Sequence, residues 1–432
     1  MVMQATFPRR TLLGAGLSVA AAGALAACAA GGSRSSSGVN AKKVSLQIFG
    51  PDKPTLAWFN DTALPAFKEE TQIDVELRQS DWGSGFQKLL TGAASGTLAD
   101  VVMLGQVMTP AMAAKKALLP IDQYLKDWSE TSKFYPAMLQ DGTYDGMSYA
   151  LPIYADVRSS IYRSDLLGQV GVSESQVPTS WPEFRAVAEK LAKANGGPLA
   201  APFFSGQDTA VGLMQVYTQL LYQGGGTFFD SAGKSALGSG GGLEALQYLV
   251  AFFKDGLGNA QLAYQGTGAM PLVSGAAAMM FGGRWVAQNA ASEEPAVEKK
   301  IIAGPPLSAT PGGKPATISL IGKLAISGKT KDPDSAWQLL SFLTSKDNLA
   351  KYNEVSGTFP TRPDLQGAAY LKDVSPALVK AAEQTTPLPQ NPNLLEIQKQ
   401  VNTSLQSAIR LQASPEQVLT QLDAKINSIN GK

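Results

Sequence analysis

The chain has 432 residues, with 36 Lys and Arg against 35 Asp and Glu, one cysteine and no histidine. A chain this long ordinarily carries roughly nine histidines, so their absence excludes a Ser-His-Asp triad, His-ligated zinc or haem, and a histidine pH switch. One cysteine excludes an internal disulfide and a cysteine-cluster metal site, and the balanced charge offers nucleic acid no attracting field.

The predicted elements begin with a leader. Arg9-Arg10-Thr11-Leu12-Leu13 opens an acid-free stretch that runs through Gly14–Ala24 to Leu25-Ala26-Ala27-Cys28. A basic start, an apolar centre of about 15 residues and small residues at the end describe a secretory signal peptide over residues 1–27. Its paired arginines fit either the general or the twin-arginine export route. Removing it takes two arginines and no acid, so 34 basic residues remain against 35 acidic ones. Residues 28–43, rich in Gly and Ser, read as a flexible tether with nothing to pack.

Val44–Phe49 alternates as a first strand and stops at Gly50-Pro51. Leu56, Phe59, Ala63, Leu64 and Phe67 follow helical spacing, with Pro65 demanding a kink or break. Ile73–Leu77 alternates as a second strand, Phe86, Leu89, Leu90 and Ala93 mark a helix ending near Gly96, and Asp100–Leu104 reads as a buried strand. This βαβαβ order predicts a parallel α/β sheet, with ligands expected beyond the carboxyl ends of its strands.

Past Leu151-Pro152-Ile153 the pattern turns mostly helical. Ser180-Trp181-Pro182-Glu183 predicts a capping box, and further helices are expected at about 208–223, 241–255 and 271–277. Gly238–Gly242 lacks the phosphate-loop ending and reads as a turn before a helix. Thr317–Ile321 restores strand character, and Asp332-Pro333 starts a helix with the stripe Ala336, Leu339, Leu340 and Leu343. With 44% hydrophobic residues, the mature chain is long enough for two domains joined by more than one crossing. The predicted lobes are 44–153 with 300–330, and 154–299 with 331–432.

Several segments together resemble the family of maltose-binding protein, the solute-binding proteins of sugar ABC importers. They are Ala93–Thr97 with Asp100-Val101-Val102, Ala117–Asp122, Tyr144-Asp145-Gly146 with Tyr149–Pro152, Ile161–Leu166 and Pro178–Phe184. Ala278-Met279-Met280 with Gly282–Trp285, and Gly357–Arg362, complete the set. Leu25-Ala26-Ala27-Cys28 also resembles a bacterial lipobox, which implies lipid attachment at Cys28. The resemblance implies an α/β, two-lobed periplasmic-binding-protein-like fold of type II, with a ligand cleft between lobes joined by hinge crossings. It implies a monomer on the extracytoplasmic face of the bacterial cell membrane, capturing a sugar or sugar-derived solute for the transmembrane subunits of an ABC permease. No cofactor, metal or nucleic acid is expected, and no catalysis. The alternative is a secreted histidine-free enzyme that cleaves glycosides with two carboxylates.

By the same resemblance, Asp52 and Lys53 are expected in the cleft, with Gln106 near it. Asp156 matches an acidic sugar ligand, Arg158 stands beside it, and Trp285 matches a stacking aromatic. Trp82 is expected as a second platform, Gln207 and Asp208 as loop contacts, and Phe359 in place of the family's late tryptophan. Carboxylates, Arg and amides suit sugar hydroxyls, and flat aromatic rings suit C–H faces. Asp52 is equally placed to cap the following helix. Asp100, Trp128, Trp181 and Trp337 are expected to be structural.

Overall fold

A computed structural model describes residues 42–432 apart from 106, 202–204, 207–208, 260–261, 265–269, 373 and 384. The leader, Cys28 and nearly all of the tether lie outside the described residues, as do Gln106, Gln207 and Asp208. Ala41–Lys432 forms one compact unit.

Among the described residues, ten strands build its two main sheets. They are β1 (Lys43–Phe49), β2 (Asp74–Ser80), β3 (Val101–Leu104), β4 (Ala150–Val157), β5 (Ser159–Arg163), β6 (Ala200–Ala201), β7 (Met279–Gly282), β8 (Ile301–Ala303), β9 (Thr317–Ile326) and β10 (Thr385–Pro387). The first sheet has six strands in the order β10-β9-β3-β1-β2, with β4 also paired to β9. The expected parallel unit is present: β1 runs parallel to both β2 and β3. β9 then returns antiparallel to β3 and β4. The second sheet has the order β8-β5-β7-β6.

Local chemistry explains the connecting elements. The helix after β1 starts on Asp52, whose Oδ1 accepts the Thr55 N–H at 2.9 Å. Ahead of Pro65, which lacks an N–H, the helix loosens into a π-helical turn over Phe59–Ala63. Asp81 caps Trp82–Ser95 in the same way, and its carboxyl is held down at about 2 by the Ser84 hydroxyl and backbone N–H. The box expected at Ser180 forms differently. Ser180 is buried and bridged to Ser308, so Glu183 reaches Thr179 instead, accepting from its N–H at 2.8 Å and its hydroxyl at 2.9 Å. The Gly238 turn folds around the protein's own Asp423, which accepts the N–H groups of Leu237 and Gly238.

The structural readings of the other tryptophans agree with their packing. Trp181 stacks on Tyr248 and donates to Gln223, while Trp337 stacks on Tyr124 with Trp128 edge-on. Asp100 accepts from Ser45 and Thr330.

The sheet memberships shift the expected lobe boundaries. Tyr154–Val157 belongs to the first sheet and Ile301–Ala303 to the second. The helices Pro333–Leu343 and Lys346–Ser356, expected with the second lobe, pack on the first. Phe342 meets Phe67, Tyr352 meets Trp58 and Phe59, and Asn353 donates to the Ile153 carbonyl. An amphipathic stripe states that a helix is half-buried, not which sheet covers it.

The chain changes sheets between β4 and β5, which are separated by one residue, Arg158. The return from β8 to β9 runs beside it. Arg158 N–H donates to the Ile318 carbonyl at 3.0 Å, the Thr317 hydroxyl to the Arg158 carbonyl, and the Ser159 hydroxyl to the Gly304 carbonyl. These two crossings lie side by side where the chain passes between the main sheets.

One charged pair is sealed inside the first lobe. Lys323 on β9, with a side chain 0% exposed, ion-pairs with Asp141, 2% exposed. Gln390 donates to the same carboxylate, and Lys323 Nζ also reaches the Ile321 carbonyl. Burial lowers the pKa of Lys323, and Asp141 resists the shift.

Candidate functional site

Alternation along β4 puts Tyr154 and Asp156 on one face, opposite Ala155 and Val157, which enter a core with Ile321 and Phe359. Arg158, at the crossing between the sheets, turns its guanidinium back onto Asp156, with Nη2 2.8 Å from Oδ2; these side chains are 17% and 15% exposed. Trp285, the first residue of helix Trp285–Glu293 on the second lobe, lies over the same guanidinium at 5.2 Å from ring centroid to Cζ. Asp156, Arg158 and Trp285 are thus brought together at the crossing between lobes.

A glycine makes this approach possible. A Cβ on Gly283 would land on Asp156 Oδ1 and come within 2.9 Å of the Trp285 indole. Gly282 and Gly283 are buried, and their small size serves close packing here.

The electrostatics of the cluster are unfinished. Burial raises the pKa of Asp156, and Arg158 and the indole N–H of Trp285 offset this only in part. Trp285 Nε1 is near enough to favour the carboxylate, yet it is buried without an acceptor in hydrogen-bonding geometry, and Arg158 Nε is in the same state. Two buried donors stand here beside a carboxylate and an aromatic face, a combination chemically suited to hydroxyl oxygens.

Other expected residues fall differently. Lys53 is exposed and sits 3.9 Å from Glu293 of the Trp285 helix. Asp52 carries its helix cap, the competing reading. Trp82 is half-buried at the strand ends, tilted on Phe49 at 5.2 Å; a Cβ on Gly50 would come within 2.6 Å of its ring. Phe359 is not a platform. Its backbone exchanges two 2.9 Å hydrogen bonds with Ala155, which turns its ring toward Val374 and Leu378 at 6% exposure.

Sequence reading missed Tyr154, Tyr370 and Gln288. Tyr154 stacks on Tyr352 and covers Gly322; its two-residue spacing from Asp156 was the available signal. Tyr370 takes the Arg284 guanidinium over its ring at 5.8 Å. Shape alone does not find the site. A groove of about 350 Å³ lies against helix Trp82–Ser95, where Arg78 and Lys88 are already paired with Glu76 and Asp81.

Comparison with known proteins places this geometry in a family. A model of bacterial extracellular solute-binding proteins matches residues 50–350. A Brucella abortus protein described only as a binding protein is 26% identical over 399 residues, covering 91% of this chain and 94% of its own. The galactooligosaccharide-binding protein of Bacillus subtilis is 24% identical, with 92% of each chain covered. An ABC transporter solute-binding protein of Thermotoga lettingae, solved with α-D-tagatose bound, superposes with a TM-score of 0.80 at 24% identity, covering 90% of this chain and 99% of its own. The shared architecture is the two-lobed one, with a cleft between the lobes. Family members bind solutes without transforming them, which removes the glycoside-cleaving alternative. The chain belongs to the bacterial extracellular solute-binding proteins and acts outside the cytoplasm.

Proposed function

We propose that the cleft holds a carbohydrate or sugar-derived solute, which the closing lobes deliver to the transmembrane subunits of an ABC importer. The observation that carries this reading is the cluster at the crossing. Two buried donors, Arg158 Nε and Trp285 Nε1, lack partners beside Asp156, at the residue where the chain passes between sheets. A polyhydroxylated solute supplies acceptors to both and lays a C–H face on the indole. The names of relatives, which include a galactooligosaccharide binder and a tagatose complex, agree with that chemistry.

In this reading Asp156, Arg158 and Trp285 are the primary contacts. Lys53 and Trp82 extend the site from the first turns of their helices, and Gln106, Gln207 and Asp208 are further contacts in this reading. Residues 1–27 direct export, and Cys28 carries a lipid that holds a monomer near its permease on a tether that ends where β1 begins at Lys43. Two lipid-independent lobes then work beside the membrane, not within it.

A thermal-shift screen tests the central claim. Tagatose, galactooligosaccharides, maltose, sugar alcohols, amino sugars and glycerophosphodiesters are offered in turn, and products are assayed in parallel. A raised melting temperature without turnover is expected for at least one of them. Silence across the panel counts against a carbohydrate. Lipid attachment is read separately, as radiolabelled palmitate incorporated by the wild type and lost in Cys28→Ser.

A further inference from the structure

Helix Trp285–Glu293 belongs to the second lobe, where Val286 and Ala290 pack with Ile161, Met280 and Ile301. Three of its residues or neighbours nonetheless face the first lobe. Arg284 lies over Tyr370, Glu293 approaches Lys53, and Gln288 Nε2 donates to the Val355 carbonyl at 3.2 Å. The last contact has the strongest construction. Val355 is in the final turn of helix Lys346–Ser356, whose carbonyls lack intrahelical donors. The N–H four residues on, that of Phe359, is committed to Ala155.

The receiving surface is shaped for this side chain. Gly357 ends the helix with φ +65°, and a Cβ there would land on the Gln288 carboxamide. Gln288 stands three residues after Trp285, so both project from neighbouring positions of one helix face. The Lys53–Glu293 contact is largely exposed at 3.9 Å and contributes little. The amide on the helix end is the specific link.

We propose that Gln288 is a positioning residue: it latches the Trp285 helix onto the carboxyl end of helix Lys346–Ser356 and so stabilises the state in which the lobes touch. The latch depends on the two-lobed fold and not on which solute the cleft takes.

Double electron–electron resonance tests it without a ligand. Spin labels are placed on Glu69→Cys of the first lobe and Lys190→Cys of the second, both exposed, in a full chain carrying Cys28→Ser. The wild type is expected to populate a short interlobe separation. Gln288→Ala lowers the short-to-long ratio about fivefold, the effect of one lost hydrogen bond. Gln288→Glu lowers it further, because a carboxylate cannot donate and meets the negative end of a helix. The melting temperatures of both variants stay near that of the parent, which separates a latch from a core contact. Identical distance distributions in the wild type, Gln288→Ala and Gln288→Glu overturn the proposal, whether all are short or all are long. So does a shift in distance that appears only with a matching loss of melting temperature.

Discussion

Lys323 and Asp156 lie on neighbouring strands of the first sheet, each beside an opposite charge, yet in unlike states of hydrogen bonding. Lys323 and Asp141 are removed from water, and Gln390 and the Ile321 carbonyl occupy positions that the pair leaves open. Asp156 and Arg158 keep 15% and 17% exposure and have two unpartnered donors next to them. Burying charge is costly in both places, and the Lys323 pair offsets that cost within the protein. At Asp156 two donors remain without a hydrogen bond, and in the proposed function a solute supplies their acceptors. Completeness of hydrogen bonding, not burial alone, separates a structural ion pair from a receptor.

The largest expected effect comes from breaking the sealed pair. Lys323→Met strands a buried carboxylate and should cost about 3–5 kcal/mol in chemical denaturation, whereas Lys323→Met with Asp141→Leu should recover most of it. A single variant no less stable than the double would contradict the sealed reading. The same pair makes a pH prediction. The folded protein lowers the pKa of Lys323, so the folded state binds fewer protons than the unfolded one below the ordinary lysine value of about 10.4. Stability attributable to this group therefore rises with pH from the lowered pKa up to that value. Subtracting the pH profile of the double variant from that of the wild type isolates this rise, and a falling difference would refute it.

At the unfinished pair the same kind of change should alter binding and not folding. Trp285→Ala is expected to cost at least about 2 kcal/mol of affinity for any sugar that raises the wild-type melting temperature. The unliganded variant should melt within a few degrees of the parent. Calorimetric titration checks the first statement and thermal denaturation the second. Unfolding without retained affinity would move Trp285 into the core and dissolve the contrast with Lys323.

Much of this arrangement was legible in the chain because its signals are local. The βαβαβ alternation from Val44 to Leu104, the break at Pro65 and the cap at Asp52 all involve residues within a few positions of one another. Asp156 and Trp285 were reached by likeness to a family. The crossing at Arg158 was not legible: β4 and β5 are both buried strands, and no periodicity marks the residue where a chain changes sheets. Phe359 was misread for a related reason, since its direction is set by pairing with Ala155, some two hundred positions earlier. Gln288 could not be found, because a carboxamide on a helix announces no partner until the other lobe supplies a bare carbonyl. The stripe after Asp332 fixed a helix but left its lobe open.

The smallest effect sharpens the contrast at a third carboxylate, Asp52. It was expected both as a cleft contact and as a helix cap, and its Oδ1 is bound to the Thr55 N–H. By the criterion drawn from Lys323 and Asp156, a carboxylate already serving the backbone is structural. Asp52→Ala should therefore cost about 1 kcal/mol of stability. Asp52→Ser restores the cap with a shorter, neutral acceptor and should return stability to within a few tenths of a kcal/mol. Sugar affinity should be unchanged in Asp52→Ser, because its charge has no place in the receptor at Arg158. A loss of affinity there, at wild-type stability, would show that one carboxylate serves both the cap and the solute. Hydrogen-bond completeness would then fail as a guide at the edge of the cleft.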